Sequence, residues 1–455
     1  MAQLGSGLLL FSLILSLYAA LGSVLGAYKN SPKLVDSSRY ATYLVSIVIG
    51  IATILLVWAF VSRDFSLEYV AAHSNRAMDH IYTWVALYAG NEGSLLFIAF
   101  VLSVMITLCM ALAPRRLKEM LPYANFVMMS VATFFIGVMV FLANPFDTLP
   151  FTPLDGQGIN PLLRHPGMFI HPPILMTGLI GVTLPFSFAM GALISGKNIE
   201  DWVDIGRVWG LIIWAMLGIG LLLGAWWAYT ILGWGGYWAW DPVETGSILP
   251  WFALLMIIHA RARTDSQRNS AIIASPALGM LAGALAIHAT LVTRANGVWA
   301  SVHSFVGNEE GRAYDDPYLR IVQLFDDGAA GLEVAAYSAI MLTLCIAAFW
   351  WLVKQQKQLL ESTGKTSMLE NNRQLALTLL IVTPALGIWI GSTAVTLVGV
   401  ALMYLLISGD AEKPPATWVF GGVFLMLFAS WSWAASLQQA IVGMLLFHGP
   451  WLMSA

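Results

Sequence analysis

Long apolar runs alternate with short polar segments along almost the whole chain of 455 residues. A helix that crosses a lipid bilayer needs about 20 mostly apolar residues, and runs near that length recur throughout. The pattern predicts an all-α fold, a polytopic membrane helical bundle of about 12–13 transmembrane helices, forming a single membrane domain over residues 1–455. The predicted spans are 6–27, 42–61, 93–113, 124–143, 173–194, 208–226, 247–260, 271–292, 332–353, 374–391, 394–408, 417–437 and a shorter run that starts near 440.

Lysine and arginine are concentrated in every second loop of this predicted bundle. Because these residues accumulate in cytoplasmic loops, the alternation predicts that the N-terminus faces the extracytoplasmic side. Four longer segments then lie outside, at 62–92, 144–172, 227–246 and 293–331. The basic residues that set this orientation are Lys29, Lys33, Arg39, Arg115, Arg116, Lys118, Lys197, Arg207, Arg261, Arg263, Arg268, Lys354, Lys357, Lys365 and Arg373.

The composition agrees with a membrane protein and narrows its chemistry. The chain is 58% hydrophobic and 10% charged, whereas soluble domains are about 25% charged. Its net charge of −3 gives no basis for a nucleic-acid partner. Cys109 and Cys345 stand apart in apolar runs without a Cys-x-x-Cys motif, so the chain neither exchanges dithiols by itself nor carries a covalent c-type haem. The first apolar run lacks a basic start and a signal-cleavage site, which predicts a retained helix.

A tryptophan-rich segment covers residues 226–251, within and beside the third outer segment. It holds six of the 19 tryptophans, ends in Asp-Pro-Val-Glu before a further apolar run, and contains no lysine or arginine. Tryptophan is costly to expose unless its flat face has a partner, so the cluster predicts a platform for a large planar ligand. The alternative is an interfacial belt that anchors helices. Concentration in one glycine-punctuated segment favours ligand binding.

Two acidic residues, Asp241 and Glu244, stand three apart at the end of this segment. Carboxylates at a helix start interact favourably with the helix dipole, so capping is one interpretation. The other is contact with the edge of the planar ligand or with a basic side chain of a partner.

The histidines sort by their predicted side of the membrane. His171 and His303 fall at the outer side, on either side of the tryptophan-rich segment in sequence. Imidazole is a common ligand of haem iron, so this pair predicts two axial ligands for one porphyrin iron on the tryptophans. Two unrelated interfacial histidines are the alternative. His165 is predicted to be a capping or loop residue, and neither His73 nor His80 has an apparent partner in the sequence.

Three further histidines lie within apolar runs, where ionisable residues are rare and often functional. His259 ends the seventh predicted span and His448 lies in the last apolar run, which predicts a second, in-membrane bis-histidine site. A histidine bonded to a backbone carbonyl is an equally open interpretation of His448. His288 has no motif and is predicted to be a packing or polar-network residue.

Several motifs now carry a family resemblance. WGGYWAWDPVE at 234–244 resembles the tryptophan-rich WWD motif shared by the haem-handling families CcmC, CcsA and CcmF. AHSNRAMDHIYTWVALYAGNEGSLL at 72–96, FIHPPILMTGLIG at 169–181, SVHSF at 301–305 and MLENNRQLAL at 368–377 are similar to CcmF in particular. The resemblance runs in order over most of the chain, and the sequence is identified as a member of the CcmF family.

The resemblance implies a haem lyase component of cytochrome c maturation. His171 and His303 would ligate haem, the substrate, at the outer WWD site, and His259 and His448 would be the axial ligands of a resident haem b. Stacking on the tryptophans would fix the haem plane. The residues implied beside the outer histidines are Trp226, Trp227, Trp234, Trp238, Trp240, Asp241 and Glu244.

The resemblance also implies partners and a location. A CcmE-type chaperone would deliver haem, and a CcmH-type thiol-redox subunit would present an apocytochrome c whose Cys-x-x-Cys-His motif receives it. Quinol is a possible reductant, and membrane lipid surrounds the bundle. The expected location is the cytoplasmic (inner) membrane of a bacterium or archaeon, with the WWD segment outside.

The chain departs from the family pattern in places, and two other functions stay open. Tyr237 stands where the family often has tryptophan, and Asn91 replaces the histidine of Gly-His-Glu-Gly. The family's usual C-terminal extracytoplasmic domain is expected to be absent. A haem exporter or carrier of the CcmC or CcsA type would bind haem without attaching it, and a quinol oxidoreductase would use only the in-membrane pair. The Asn-Glu-Gly-Ser and Glu-Asn-Asn segments favour the lyase over the exporter.

Overall fold

The computed structural model describes residues 1–196, 199–233, 235–239, 242–259 and 265–294, with scattered positions between 332 and 354. Over these residues the chain is helical, and its one β-type pairing is an isolated bridge between Leu67 and Thr148. The predicted all-α class is confirmed. The helices are α1 (Ala2–Tyr28), α2 (Pro32–Ser62), α3 (Glu68–His73), α4 (Thr83–Leu87), α5 (Asn91–Leu112), α6 (Leu121–Phe141), α7 (His171–Gly181), α8 (Thr183–Ser195), α9 (Ile199–Ile231), α10 (Pro242–His259) and α11 (Asp265–Arg294).

The first six predicted spans each coincide with a helix, or helix pair, long and apolar enough to cross a membrane. In the described part these are Ala2–Tyr28, Pro32–Ser62, Asn91–Leu112, Leu121–Phe141, Pro166–Ser195 and Gly206–Ile231. The next two predicted spans fall in α10 and α11, whose apolar stretches are shorter. Predicted spans from residue 332 onward lie outside the described residues apart from scattered helical positions. The chain is therefore a multi-pass membrane protein.

The chain divides into two compact units, Met1–Ala239 with Phe305–Gly307, and the remainder. In the first unit α1 packs against α2 and α6, α2 against α5, α6 against α8, and α7 against α9. In the second unit α10 packs against α11, where Gly246 faces the backbone of Ala289. The single domain over residues 1–455 stays a prediction.

The predicted span 173–194 is divided at Val182 into α7 and α8. Pro185 has no backbone N–H, so it cannot complete the helical bond to the carbonyl of Gly181, four residues earlier. At the same place the N–H of Val182 bonds to the carbonyl of Leu179, three residues earlier, at 3.3 Å, which is a tighter turn than an α-helix. Proline thus separates α7, which begins at His171, from α8.

A polar cluster lies inside the contact of α1, α2 and α6. The Asn125 amide nitrogen donates to the hydroxyls of Ser23 at 2.7 Å and Thr42 at 3.0 Å, and Ser23 donates to Ser38 at 3.0 Å. All four residues are almost completely buried. Apolar side chains contact lipid as favourably as they contact another helix, so hydrogen bonds between helices help to determine which membrane helices associate.

The segments that follow α2 and α6 meet at one end of the first unit. The N–H of Leu149 bonds to the carbonyl of Ser66 at 3.1 Å, and the N–H of Gln157 bonds to the carbonyl of Ala71 at 2.8 Å. The start of α1 lies at the same end, because Asn144 donates to Ser6 at 3.0 Å. We call this the loop end of the unit. The predicted placement of segments 62–92 and 144–172 on one side with the N-terminus is therefore confirmed.

Replacing Asn125 by alanine should lower the free energy of unfolding by about 1 kcal/mol, because it removes bonds that join three helices. Ser130→Ala is the matched control on α6, since that hydroxyl bonds only within its own helix, to the carbonyl of Phe126 at 2.7 Å. Unfolding in mixed detergent micelles measures both. Equal stability of the two variants would show that the cluster does not hold these helices together.

Candidate ligand site at the α7–α9 crossing

Helices α7 and α9 run antiparallel at unusually short separation. A Cβ atom on Gly220 would lie 2.7 Å from the Cα of Leu175, and one on Gly178 would lie 2.6 Å from the Cα of Leu217. Glycine is therefore required at these contacts, because any side chain would force the two backbones apart. The same register continues towards the loop end, where His171 of α7 faces Gly224 of α9.

His171 is held against α9 by a defined hydrogen bond. Its Nδ1 lies 2.8 Å from the carbonyl oxygen of Gly220, and the residue is 7% exposed. A carbonyl can only accept, so Nδ1 carries the proton, and in the neutral ring Nε2 carries the lone pair. This arrangement, an imidazole oriented by a carbonyl behind it, is the one found for metal-binding histidines.

The ring of His171 also depends on the glycine next to it. A Cβ atom on Gly224 would lie 2.5 Å from Cε1 and 3.1 Å from Nδ1 of the imidazole. The ring therefore occupies the space that a side chain at this position would fill. Gly220 provides the carbonyl that accepts the bond from Nδ1, and Gly224 leaves the space that the imidazole occupies. The two glycines are one turn apart on the same face of α9.

His165 has the opposite proton arrangement. The N–H of Gly167 donates to its Nδ1 at 3.0 Å, so Nδ1 carries the lone pair and Nε2–H is the donor in the neutral ring. The bond caps the short 3-10 turn Pro166–Phe169 that leads into α7. The prediction that His165 is a capping residue is thus confirmed. Sequence reasoning missed its second contact, with the ring of Trp226 at a centroid separation of 5.3 Å.

The tryptophans at the end of α9 differ in exposure. Trp226 is 40% exposed, whereas Trp227 is 1% exposed and packs into the first unit. Both converge on Gly167, where an added Cβ would lie 3.0 Å from Trp226 and 3.3 Å from Trp227. Trp226 thus presents an accessible indole within one turn of Gly224, and Trp227 serves as core.

The chain turns back after α9 through an aromatic pair. Tyr229 and Tyr237 stack with ring centroids 4.3 Å apart and planes inclined by 7°, and both are about half-exposed. Gly233 and Gly235 adopt positive φ angles of 67° and 75° in the turn between them, which glycine tolerates without strain. Tyr237, which stands where the family often has tryptophan, thus stacks its ring on that of Tyr229. Trp238 follows and is half-buried.

The remaining predicted site residues divide between the second unit and the undescribed part of the chain. In the second unit Glu244 is 8% exposed and lies in the first turn of α10, where a carboxylate interacts favourably with the helix dipole. His288 is fully buried in α11. His259 is the last residue of α10, but its side chain is outside the described residues. Also outside them are Trp234, Trp240, Asp241, His303 and His448.

His73 forms a second cluster at the loop end, which the sequence did not predict. Its Nδ1 lies 3.0 Å from the carbonyl of Tyr69, and its ring is 4.3 Å from the Tyr69 ring. Its Nε2 faces Gly90 so closely that a side chain there would collide. The Tyr69 hydroxyl donates towards the carbonyl of Leu87 at 3.2 Å and accepts from the N–H of Gly90 at 3.0 Å. Tyr69 and His73 of α3 therefore hold the start of the Asn-Glu-Gly-Ser segment in place.

A further bond joins this segment to the candidate site. The Tyr88 hydroxyl donates to the carbonyl of Met168 at 2.7 Å, within the turn that precedes α7. Burial raises the pKa of Tyr88, so the phenol keeps the proton that it donates.

Known proteins share this chain's sequence and fold. Residues 88–292 match the family model described as Cytochrome C assembly protein. The cytochrome c-type biogenesis protein CcmF of Pseudomonas aeruginosa is 37% identical over 322 residues, 70% of this chain and 49% of that protein. CcmF of Escherichia coli K12 is 35% identical over 310 residues, 68% of this chain and 47% of that protein. A solved structure named Cytochrome c Heme Lyase CcmF superposes with a TM-score of 0.53 at 21% identity, covering 100% of this chain and 77% of that one.

The matches define the class first: the chain belongs to the cytochrome c assembly family. The matched range contains His165, His171 and the tryptophan-rich segment, whereas His303 and His448 lie beyond it. Within that class the chain is a member of the CcmF family. It spans about half the length of the curated CcmF proteins that it matches.

The stability of the first unit should fall in mild acid because of His73. Burial lowers the pKa of His73, and the Tyr69 carbonyl and the Glu92 carboxylate oppose this effect. The unfolded chain, with a histidine pKa of about 6.5, then binds the proton more readily than the folded chain. Stability is therefore full above about pH 6.5 and is lost as pH falls below it.

His73→Gln should reduce this loss, measured as the unfolding temperature between about pH 7.5 and 5. The exposed residue His80 provides the control variant His80→Gln. If the wild type and His73→Gln lose stability in parallel, His73 is not the titrating group.

Proposed function

We propose that this chain is a haem lyase component of cytochrome c maturation, with haem as substrate at the α7–α9 crossing. The observation that carries the proposal is the state of His171. It is buried at the loop end, its Nδ1 proton is committed to the Gly220 carbonyl, and its Nε2 carries the lone pair. Trp226, with an accessible indole, lies in the following turn of α9.

The described residues fit the demands of a haem ligand. Haem iron needs a neutral imidazole nitrogen, preferably oriented by a hydrogen bond from the other ring nitrogen. The porphyrin plane needs apolar or aromatic surfaces beside that nitrogen. His171 meets the first demand, and Trp226 contributes to the second. His165 does not meet the first, because its Nδ1 accepts from Gly167 and its Nε2 carries the proton.

Each residue then has a distinct task. His171 would hold the iron from one side, and Gly220 would keep the ring from rotating. His303 is proposed as the second axial ligand. The proposed surrounding residues are Trp226, Trp227, Trp234, Trp238, Trp240, Asp241 and Glu244; since Trp227 is core in the first unit, its contribution would be to support Trp226.

The proposed reaction adds the two cysteine thiols of an apocytochrome c across the two vinyl groups of haem. Each addition forms one carbon–sulfur bond and places the thiol proton on the other vinyl carbon, so no further reactant is consumed. Fixing both reactants can lower such a barrier by about 7–11 kcal/mol. The chain's contribution is to hold and orient haem, which suits a site made of a fixed imidazole and aromatic rings.

The partners and the location follow from the same proposal. A CcmE-type chaperone would supply haem, and a CcmH-type subunit would present the reduced apocytochrome. The proposed membrane is the cytoplasmic (inner) membrane of a bacterium or archaeon, with the N-terminus, the loop end and the WWD segment outside. Residues 1–455 would act as one membrane domain within this complex.

We also propose a resident haem b with His259 and His448 as axial ligands. When bound, it would carry electrons, with quinol as a possible source, to keep the outer iron reduced. His259 would be placed for this by the end of α10. In-membrane histidines with this role are expected to face the interior of the bundle.

His171→Ala should abolish the absorbance of haem at the outer site and the maturation of c-type cytochromes in cells that carry the complete maturation system. His303→Ala should have the same effect if it is the second ligand. His80→Ala, an exposed histidine at the same end, is the matched control and should behave as wild type. Normal cytochrome yield and an unchanged haem spectrum with His171→Ala would overturn the proposal.

A further inference from the structure

Two donor residues, Arg164 and His165, are adjacent in sequence just before the short turn that leads into α7. His165 is fixed by the Gly167 amide with its Nε2 as the donor nitrogen, and its ring lies against Trp226. Arg164, the preceding residue, is exposed. The capping bond uses only Nδ1 of His165. It therefore gives no role to the Nε2–H of the same ring.

The segments that form the loop end carry more acidic than basic residues, so a free arginine there is uncommon. Segments 62–92 and 144–172 contain three arginines, no lysine and six carboxylates. Arg63 donates to the carbonyl of Met78 at 2.7 Å, and Arg76 donates to the carbonyl of Leu154 at 2.9 Å. These two arginines therefore fix loops. An anionic ligand approaching this acidic surface would be repelled unless donors met its charges locally.

The position of His165 relative to Trp226 supplies the second half of the argument. Gly167 touches both, since an added Cβ would lie 3.0 Å from the His165 Nδ1 and 3.0 Å from Trp226. The histidine ring is thus held beside the partly exposed indole. A flat ligand that stacks on Trp226 and carries acidic groups on its edge would bring those groups to His165. Arg164 is the preceding residue in the chain and is exposed, so its long side chain is free of the core.

We infer that Arg164 and His165 form a carboxylate-binding subsite for the propionate groups of a porphyrin held at the α7–α9 crossing. The inference rests on the proposed function, because it assumes that a porphyrin is the ligand. Arg164 would supply the charge, and His165 would supply a directed donor whose orientation is set by Gly167. Charge-assisted bonds of this kind are the strong ones.

The test compares two porphyrins that differ only in their carboxylates. Purified, detergent-solubilised full chain is titrated with iron protoporphyrin IX and with its dimethyl ester, and the signal is the absorbance change that disappears in His171→Ala. Arg164→Gln removes the charge. His165→Asn removes the imidazole donor but keeps an oxygen that can accept from the Gly167 amide, as asparagine does at helix starts.

Each variant should weaken binding of the free acid about tenfold, as expected for a bond to a charged group, and leave binding of the ester unchanged. Arg63→Gln, which removes the same charge from the same end of the unit, should bind both porphyrins as wild type does. Arg164→Lys should restore part of the lost affinity. Equal weakening for both porphyrins would show a purely structural role, and no weakening for the acid would show no role; either result overturns the inference.

The same titration separates the two proposals. If His171→Ala leaves both absorbance changes intact, the proposed haem site is wrong. If His171→Ala abolishes them but wild type binds the acid and the ester equally, the haem site stands and only the carboxylate subsite fails.

Discussion

The candidate site depends on how closely α7 approaches α9. Lipid chains are as apolar as leucine, so membrane helices associate through close packing and hydrogen bonds more than through burial from water. Glycines at 178 and 220 allow the two backbones to come within contact distance. That separation lets the Nδ1 of His171 reach the carbonyl of Gly220 at 2.8 Å. With larger residues at the crossing, the imidazole would lose its acceptor and its fixed orientation.

Hydrogen bonds at the loop end stabilise the segments next to this crossing. Backbone bonds join segment 62–92 to segment 144–172, and Tyr88 joins the first of these to the turn before α7. Two histidines six residues apart in that region carry opposite proton arrangements, because one faces a carbonyl and the other faces an amide. The fold therefore distinguishes an imidazole suited to bind a metal from one suited to donate a hydrogen bond, without any difference in residue type.

Much of this architecture could be predicted from sequence, because hydropathy directly reflects the environment of a helix. The first six spans, the loops that share an end and the position of His171 at that end all follow from apolar runs and alternating charge. The break at Val182 was missed because the apolar pattern continues through it, although Pro185 is a signal that could have indicated it. The role of Tyr69 and His73 beneath Gly90 was also missed, since it depends on contacts between residues about 20 positions apart.

The positions of the protons on the histidine rings could not be predicted from the sequence, for a different reason. Whether His165 or His171 can offer a lone pair at Nε2 depends on single hydrogen bonds, which no residue pattern encodes. Likewise, the sequence shows Trp226 and Trp227 as equivalent, whereas the rotation of α9 exposes the first and buries the second. The predicted tryptophan platform is thus reduced, among the described residues, to one accessible indole at the end of α9 and a half-buried Trp238.

The central claim is that the α7–α9 contact seats His171 as an iron ligand, and Gly224→Ala tests it most directly. The added methyl group would lie 2.5 Å from Cε1 of the imidazole, so it should displace the His171 ring without substituting any of the proposed ligand residues. We predict that the haem absorbance assigned to the outer site falls towards the level of His171→Ala. Gly137→Ala, whose nearest neighbouring atom beyond its own helix would be 3.8 Å away, should retain it. A wild-type haem spectrum and affinity in Gly224→Ala would contradict the account.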